Sequence, residues 1–319
     1  VVLLLNESDV ARLFSLDDAL ETSEQAFRML AAGTAENGVR QRLTRGDAVL
    51  NTMAAIAPPL GAMGVKTYPV VRTDVTQGAA FTFQLFDLAT GELTALLEAN
   101  VLGNRRTAAT TAVATRLLAR SDSRTLTVFG AGWVARDQVL ASVKVLPALE
   151  RILVVGRSPS RATAFRGEVA RQTGLPVSVS DARSAVAAAD VIITATGAHT
   201  PVFDGDLLRP GTHVNAVGSN YAGKQELDGK ALQRAGLVVV VDSLAVARVE
   251  CGDLISGLSD WSGVTELGHV LEGSAAGRTD DAGITVFESQ GLALLDLTAA
   301  CHVVRSAAGE GVGARLATW

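Results

Sequence analysis

Apolar and polar positions follow one rhythm up to Leu117 and a different one from Arg124 onward. In the first stretch, "SDVARLFSLDDALETSEQAFRMLAAG" carries helical periodicity: Ser8 is expected to cap a first helix, and Ser15 to open a second that ends at Gly33. Short strand candidates follow in "VRQRLT", "AVLNTMAAIA" and "GVKTYPVV". "AAFTFQLFDLATGELTALLEA" reads as two strands joined across Ala89-Thr90-Gly91, with the glycine in the left-handed position. Antiparallel strands beside helices make an α+β unit. "RRTAATTAVATRLLAR", rich in small residues, is a helix that leads out of it.

From Arg124 the runs "TLTVFG", "RILVVG", "VIITAT", "THVNAVG" and "LVVVVDS" are short, β-branched and apolar throughout. Most are separated by helix-length segments such as "WVARDQVLASVKVL" and "SRATAFRGEVARQTG". Strands apolar on both faces, alternating with helices, predict a parallel sheet covered on both sides. The fold class expected is α/β: a doubly wound Rossmann sheet over residues 118–289. Residues 1–117 then form an α+β domain, joined by residues 290–319, whose helix "GLALLDLTAACHVVRSAAGEG" returns to it. No fixed-period repeat or low-complexity tract interrupts this division.

Composition narrows the function. With 48% hydrophobic and 19% charged residues the 319-residue chain has a globular balance and is long enough for two cores. A net charge of −5 with no Lys/Arg block argues against a nucleic-acid surface. Cys251 and Cys301, two isolated thiols, form neither a disulfide framework nor a zinc site. The opening "VVLLLNESDV" is too short to span a membrane and lacks a basic leader region, so no membrane role is expected and the compartment is read as cytoplasmic. His199, His213, His269 and His302 show no metal-ligand spacing, so no metal is expected. No Gly-x-Ser-x-Gly elbow and no Walker lysine motif is present.

Candidate chemistry begins at "TLTVFGAGWVARDQVL". Gly130-Ala131-Gly132-Trp133-Val134-Ala135 stands directly after a strand and opens a helix. The first glycine permits the tight turn and the second lets backbone approach a pyrophosphate. Ala135 takes the close-packing third place, and the helix N-terminus attracts the phosphate charge. A following strand at Arg151–Val155 completes the βαβ context that the bare glycine pattern needs. Beyond it stands "VVGRSPSRA", with Arg157, Ser158 and Arg161 where an NAD site usually places an acidic residue. Guanidinium and hydroxyl groups suit a 2′-phosphate, so NADP(H) is preferred and NAD(H) stays possible; the plain alternative is a surface arginine in a β-α loop. In the first domain Arg40, Lys66 and Arg106 are each readable as surface charges. Arg106 is the exception in kind, because it opens an Ala/Thr-rich helix whose other residues look buried, and a guanidinium fork is the natural partner of a carboxylate.

The order of "RQRL", "MAA", "GVK", "RRTAATTAVATRLLA", "VFGAGWVA", "ADVIITAT", "PGTHVNAVGSN" with "GKQELD", "ECGDL" and "TVFESQGLALLDLTAA" resembles the ornithine cyclodeaminase/mu-crystallin family over nearly the whole chain. The resemblance implies a homodimer contacting through the α+β domain, with an active site between the two domains for a small imino or amino acid. It places Arg40, Lys66 and Arg106 around the substrate carboxylate and reacting nitrogen, and Met53 on the pocket wall. Only "VR" anchors Arg40, so Arg42 competes with it. The resemblance puts Thr194, Ala195 and Thr196 under the cofactor, Val217 and Gly218 at the next strand end, and Ser289 and Gly291 beside the nicotinamide. Val134 departs from the family, which commonly has glutamine there.

A larger departure is Asn220, where the cyclodeaminase members carry an aspartate. An amide cannot act as a general base; it donates and accepts fixed hydrogen bonds. The resemblance and this departure together imply an NAD(P)H-dependent imine (ketimine) reductase, with Lys66, Arg106 and Asn220 as catalytic candidates. Ornithine or lysine cyclodeaminase with bound NAD, an L-alanine dehydrogenase and a hydroxyproline dehydratase are the alternatives within the family, and a non-catalytic NADPH binder is the alternative of another class. Glu250 and Asp253 in "VECGDL" read as caps or a turn, and Trp261 as a loop residue that packs inward or reaches a partner subunit.

Overall fold

The computed structural model describes residues 1–71, 80–234 and 236–317; Ala79, at the head of the expected hairpin, lies outside them. The chain begins with β1 (Val2–Leu5), α1 (Glu7–Leu13), α2 (Leu16–Ala31), β2 (Glu36–Asn37) and β3 (Gln41–Arg45). It continues through β4 (Ala48–Ala57), β5 (Ala62–Val71), β6 (Thr82–Asp87), β7 (Leu93–Glu98) and α3 (Asn100–Leu118). Next come β8 (Thr125–Phe129), α4 (Trp133–Val145), β9 (Arg151–Val155), α5 (Pro159–Thr173), β10 (Val177–Val179) and α6 (Ala182–Ala188). Then follow β11 (Val191–Thr194), β12 (His213–Ala216), β13 (Val238–Val241), α7 (Leu244–Glu250) and α8 (Gly252–Gly257). The chain closes with β14 (Val264–Glu266), α9 (Leu267–Leu271), β15 (Thr285–Glu288), α10 (Ala293–Glu310) and β16 (Ala314–Leu316). Two compact units result: Val1–Thr107 with Leu292–Trp319, and Ala108–Gly291.

In the first unit the strands run in the order β16-β1-β7-β6-β5-β4-β2, with β3 also paired to β4. β4 and β5 form a ten-residue antiparallel pair, from Ala48 opposite Val71 to Ala57 opposite Ala62. On β4 the positions Asn51, Met53, Ala55 and Ala57 are buried while Ala48, Leu50, Ala54 and Ile56 are exposed, the period-two pattern of a half-covered sheet. The β6–β7 hairpin turns as read, with Gly91 at φ 74° and the Asp87 carboxylate accepting the Ala89 and Thr90 amides. α10 is buried along most of its length and packs against α2, β4 and β5.

Ser15 caps α2 as expected, but Ser8 does not cap α1. That place belongs to Asn6, whose side chain accepts the Asp9 amide while Asp9 accepts the Asn6 amide. Ser8 is the second residue of the helix, past the cap position, and the reciprocal Asn6–Asp9 pair already fills the capping role. Glu7, also on α1, does the capping of α3: its two carboxylate oxygens accept the Asn100 and Val101 amides at 2.6 and 2.8 Å. The start of the helix that carries Arg106 is thereby fixed from another element.

The second unit is one parallel sheet, in the order β10-β9-β8-β11-β12-β15-β13-β14. Its central strands alternate between two cores. Leu126, Val128, Val191 and Ile193 face one core with α4 and α5 residues, and Phe129, Ile192, Val214 and Ala216 face the other. Burial on both faces explains why these strands read as unbroken apolar runs. The strand order reverses between β8 and β11, the switch point outside which a doubly wound sheet takes its ligand. Strands β1, β2, β10, β14, β15 and β16 are additions to the sequence reading. Trp261 packs against the core, with the Arg248 guanidinium 5.2 Å from its ring centroid.

Candidate active site

The glycine loop has the geometry a pyrophosphate requires. Gly130 adopts φ 115°, and a Cβ there would stand 2.5 Å from the Ala195 carbonyl oxygen, so only glycine fits. Gly132 is the N-cap of α4, and a Cβ built on it meets nothing within 4 Å. The space over that glycine is open, and the first amides of α4 face it without intrahelical acceptors. Ala135 is fully buried in the close-packing position, while Trp133 and Val134 stand out in solvent. These residues fit a dinucleotide phosphate.

At the end of β9, Gly156 leads into Arg157 and then Ser158, which caps α5 by accepting the Arg161 amide. Arg157 and Arg161 are exposed, and among the described residues no ion pair engages either side chain. On the other side of the switch point, Thr194 and Thr196 at the end of β11 and Gly218 after β12 all hydrogen-bond to one carboxylate, Glu226. Ser289 and Gly291, after β15, are likewise gathered by one group: Asp242 accepts the Ser289 hydroxyl and the Gln290 and Gly291 amides. Burial raises Asp242 to about 6 against the downward pull of those bonds. Val217 is buried and its amide bonds to the Thr194 carbonyl. Asn220 accepts a hydrogen bond from Lys224 at 3.1 Å.

Of the two readings of Glu250 and Asp253, cap or turn, the turn does not hold: Glu250 ends α7 and Asp253 lies in the first turn of α8, both completely buried. Asp253 does cap, but a distant segment: its Oδ1 accepts the Glu226 and Leu227 amides at 2.7 and 3.0 Å. Neither Glu226 nor Asp242 was singled out from sequence. The available signal was a lone acid following or ending an apolar run, which also describes many surface turns.

The first unit holds a second polar cluster. Lys66 on β5 and Arg106 on α3 both donate to the same oxygen, Oδ1 of Asp296 on α10, each at 3.0 Å. Asp296 is fully buried and the two cations nearly so. Burial pulls Lys66 down to about 8 against the upward pull of Asp296; Arg106 and Arg40 lower it further. Arg40 is buried and belongs to this field, whereas Arg42 is half-exposed on β3. Met53 lies directly opposite Lys66 in the β4–β5 register, and the Phe81 ring centroid is 4.9 Å from Lys66 Nζ. Gly103 on α3 makes room for the amine, since a Cβ there would be 2.9 Å from it. Asp296 is the member missed in sequence, set within the apolar "LALLDLTAA".

Among the described residues no cluster of His, Cys, Asp or Glu could hold a metal ion, and no helix is long and apolar enough to cross a membrane. His213 is buried between Thr285 and Asn215, and burial pushes it down to about 3, so it is a neutral structural group.

Sheet order, glycine loop and buried cation cluster define a dinucleotide-binding enzyme of the Rossmann class. The family model described as "Ornithine cyclodeaminase/mu-crystallin family" matches residues 1–311. A Delta(1)-pyrroline-2-carboxylate reductase of Bacillus cereus is 34% identical over 327 residues, covering 99% of each chain. The solved Delta(1)-pyrroline-2-carboxylate reductase of Thermococcus litoralis, in complex with NADH and L-proline, superposes with a TM-score of 0.93 at 31% identity, covering 99% of this chain and 100% of that one. An archaeal alanine dehydrogenase dimer with bound NAD gives a TM-score of 0.94 at 29% identity, covering 100% and 99%. The chain belongs to the ornithine cyclodeaminase/mu-crystallin family.

Proposed function

We propose that this protein is an NAD(P)H-dependent imine reductase that converts a 2-imino acid, such as a cyclic ketimine carboxylate, to the amino acid. The observation that carries this reading is the buried Lys66–Asp296–Arg106 cluster with Arg40 beside it. Lys66, Arg106 and Arg40 bring an ammonium and two guanidinium forks together, the donor set that complements an α-carboxylate. Within it Lys66, brought down to about 8, is a proton donor matched to neutral pH. When bound, the reduced nicotinamide supplies the hydride that enters the imine carbon.

Arg106 and Arg40 clamp the carboxylate and fix the orientation of the C=N bond, which converts binding energy into alignment. Lys66 gives a proton to the imine nitrogen, so that carbon gains a hydride, nitrogen a proton and the amine leaves neutral at that bond. Asp296 keeps Lys66 charged before that transfer. Cyclodeamination needs a base to manage protons on water or on a ring-closing amine. Asn220 cannot be that base, and its bond to Lys224 gives it a holding role. The B. cereus and T. litoralis relatives carry the same reaction type in their names.

Arg157, Ser158 and Arg161 support NADP(H) as the preferred form, two exposed guanidiniums after β9 being suited to a 2′-phosphate. A homodimer is supported by the open face of β3–β5. Leu43 pairs with Leu50, and both are exposed, as are Ile56 and Val71 on the same face. Such an apolar sheet face calls for a partner, and the alanine dehydrogenase neighbour is a dimer. Replacing Arg106 by Ala tests the substrate assignment. Steady-state kinetics should show kcat/KM for Δ1-pyrroline-2-carboxylate lowered by about 2–5 kcal/mol of transition-state binding, with NADPH affinity near wild type. Weakened NADPH binding with unchanged substrate kinetics would contradict the placement.

A further inference from the structure

Glu226 is fully buried, yet it is neither a metal ligand nor part of the cation cluster. Four donors converge on its carboxylate. Oε1 accepts the Thr196 amide at 2.7 Å and the Thr196 hydroxyl at 2.6 Å; Oε2 accepts the Thr194 hydroxyl and the Gly218 amide, both at 2.8 Å. One side chain thus ties together the carboxyl ends of β11 and β12. Its own backbone is held as firmly, since its amide donates to Asp253 and its carbonyl accepts the Val202 amide.

Two glycines show that neighbouring backbone is built around this knot. A Cβ on Gly218 would stand 2.5 Å from Glu226 Cδ, so only glycine lets the carboxylate seat there. A Cβ on Gly130 would stand 2.5 Å from the Ala195 carbonyl, between the two bonded threonines, so this strand end leaves no room for a side chain there. In a doubly wound sheet the dinucleotide crosses the switch point, here between β8 and β11, with one half over each set of strands. Arg157 and Ser158 lie on the β9 side, which is the adenosine half. β11 and β12 carry the other half.

We propose that Glu226 is the positioning residue for the nicotinamide half of the dinucleotide, holding the β11 and β12 ends in the geometry that presents the ring. The proposal depends only on a nicotinamide dinucleotide in the Rossmann unit and stands apart from the imine reading. Burial raises the Glu226 carboxyl, and the bonds from Thr196, Thr194 and Gly218 pull it back toward the ionised form. A carboxylate can accept all four donors; an amide of the same shape cannot. In Glu226→Gln the NH2 group must face either the Thr196 or the Gly218 amide. A hydroxyl can turn away, but a backbone N–H cannot, so one amide loses its acceptor and that strand end shifts.

The test uses the full-length protein and two ligands, NADH and ADP-ribose, with binding followed by fluorescence and calorimetry. Glu226→Gln should weaken NADH by roughly tenfold, the scale of one lost charge-assisted bond, and leave ADP-ribose within about twofold. Thr196→Val, which deletes one hydroxyl and keeps the amide, should show the same selectivity at smaller amplitude, and it serves if Glu226→Gln fails to fold. Equal weakening of both ligands would make Glu226 a general support of the fold and overturn the proposal. Unchanged NADH affinity in a folded variant would overturn it as well.

Discussion

Lys66 shows how a few ångströms of context set the chemistry of a residue. On an exposed strand it would be a charged lysine at any physiological pH; here burial brings it down to about 8 and Asp296 resists that fall. In the proposed mechanism the protonated form is the donor, so kcat/KM should hold below about 8 and decline as pH rises through that value. Asp296→Asn removes the upward pull while Arg106 and Arg40 still push down. The alkaline limb should therefore move to lower pH by on the order of one unit. The substrate's own titration is common to both proteins and cancels in the comparison. A uniform loss at every pH would show that Asp296 acts on shape alone. Lys66 and Arg106 were legible because motifs surround them. Asp296 was not: a single acid in an apolar helix carries no periodic or motif signal, and its partners lie 230 and 190 residues away.

At the scale of elements, the proposed site lies at strand ends and helix starts, and acids from other elements hold both. Glu7 caps α3, Glu226 joins β11 to β12, and Asp242 gathers the segment after β15. Short local signals were readable in the chain, among them the Ser15 cap, the Gly91 turn and the glycine loop before α4. Long-range caps were not, because their donors and acceptors share no local pattern. The Asn6 cap shows the limit even locally: two capping residues two positions apart compete, and the reciprocal bond with Asp9 decides for Asn6. Thermal or denaturant unfolding should therefore show Asn6→Ala costing about 1 kcal/mol, with Ser8→Ala nearly neutral. The reverse order would mean that α1 starts later in solution.

Across the whole molecule, the switch in hydrophobic rhythm after Leu117 announced a parallel sheet, because strands buried on both faces cannot alternate. β15 is absent from the sequence reading; it ends in the charged Glu288 and enters the sheet between β12 and β13, out of chain order. The first unit's sheet leaves Leu43, Leu50, Ile56 and Val71 exposed, the apolar face through which the proposed homodimer would form. Leu50→Lys should convert a dimer to a monomer in sedimentation velocity; an unchanged sedimentation coefficient would place the contact elsewhere.

The central claim is reduction, carried by a charged Lys66 and an Asn220 that cannot titrate. Its most direct measurement follows NADPH and NADH oxidation in parallel with Δ1-pyrroline-2-carboxylate, with ammonia release from L-ornithine assayed on the same preparation. Imine reduction predicts one reduced dinucleotide consumed per proline formed, faster with NADPH, and no ammonia. Ammonia released from ornithine without net dinucleotide consumption, and no turnover of the cyclic imine, would contradict it.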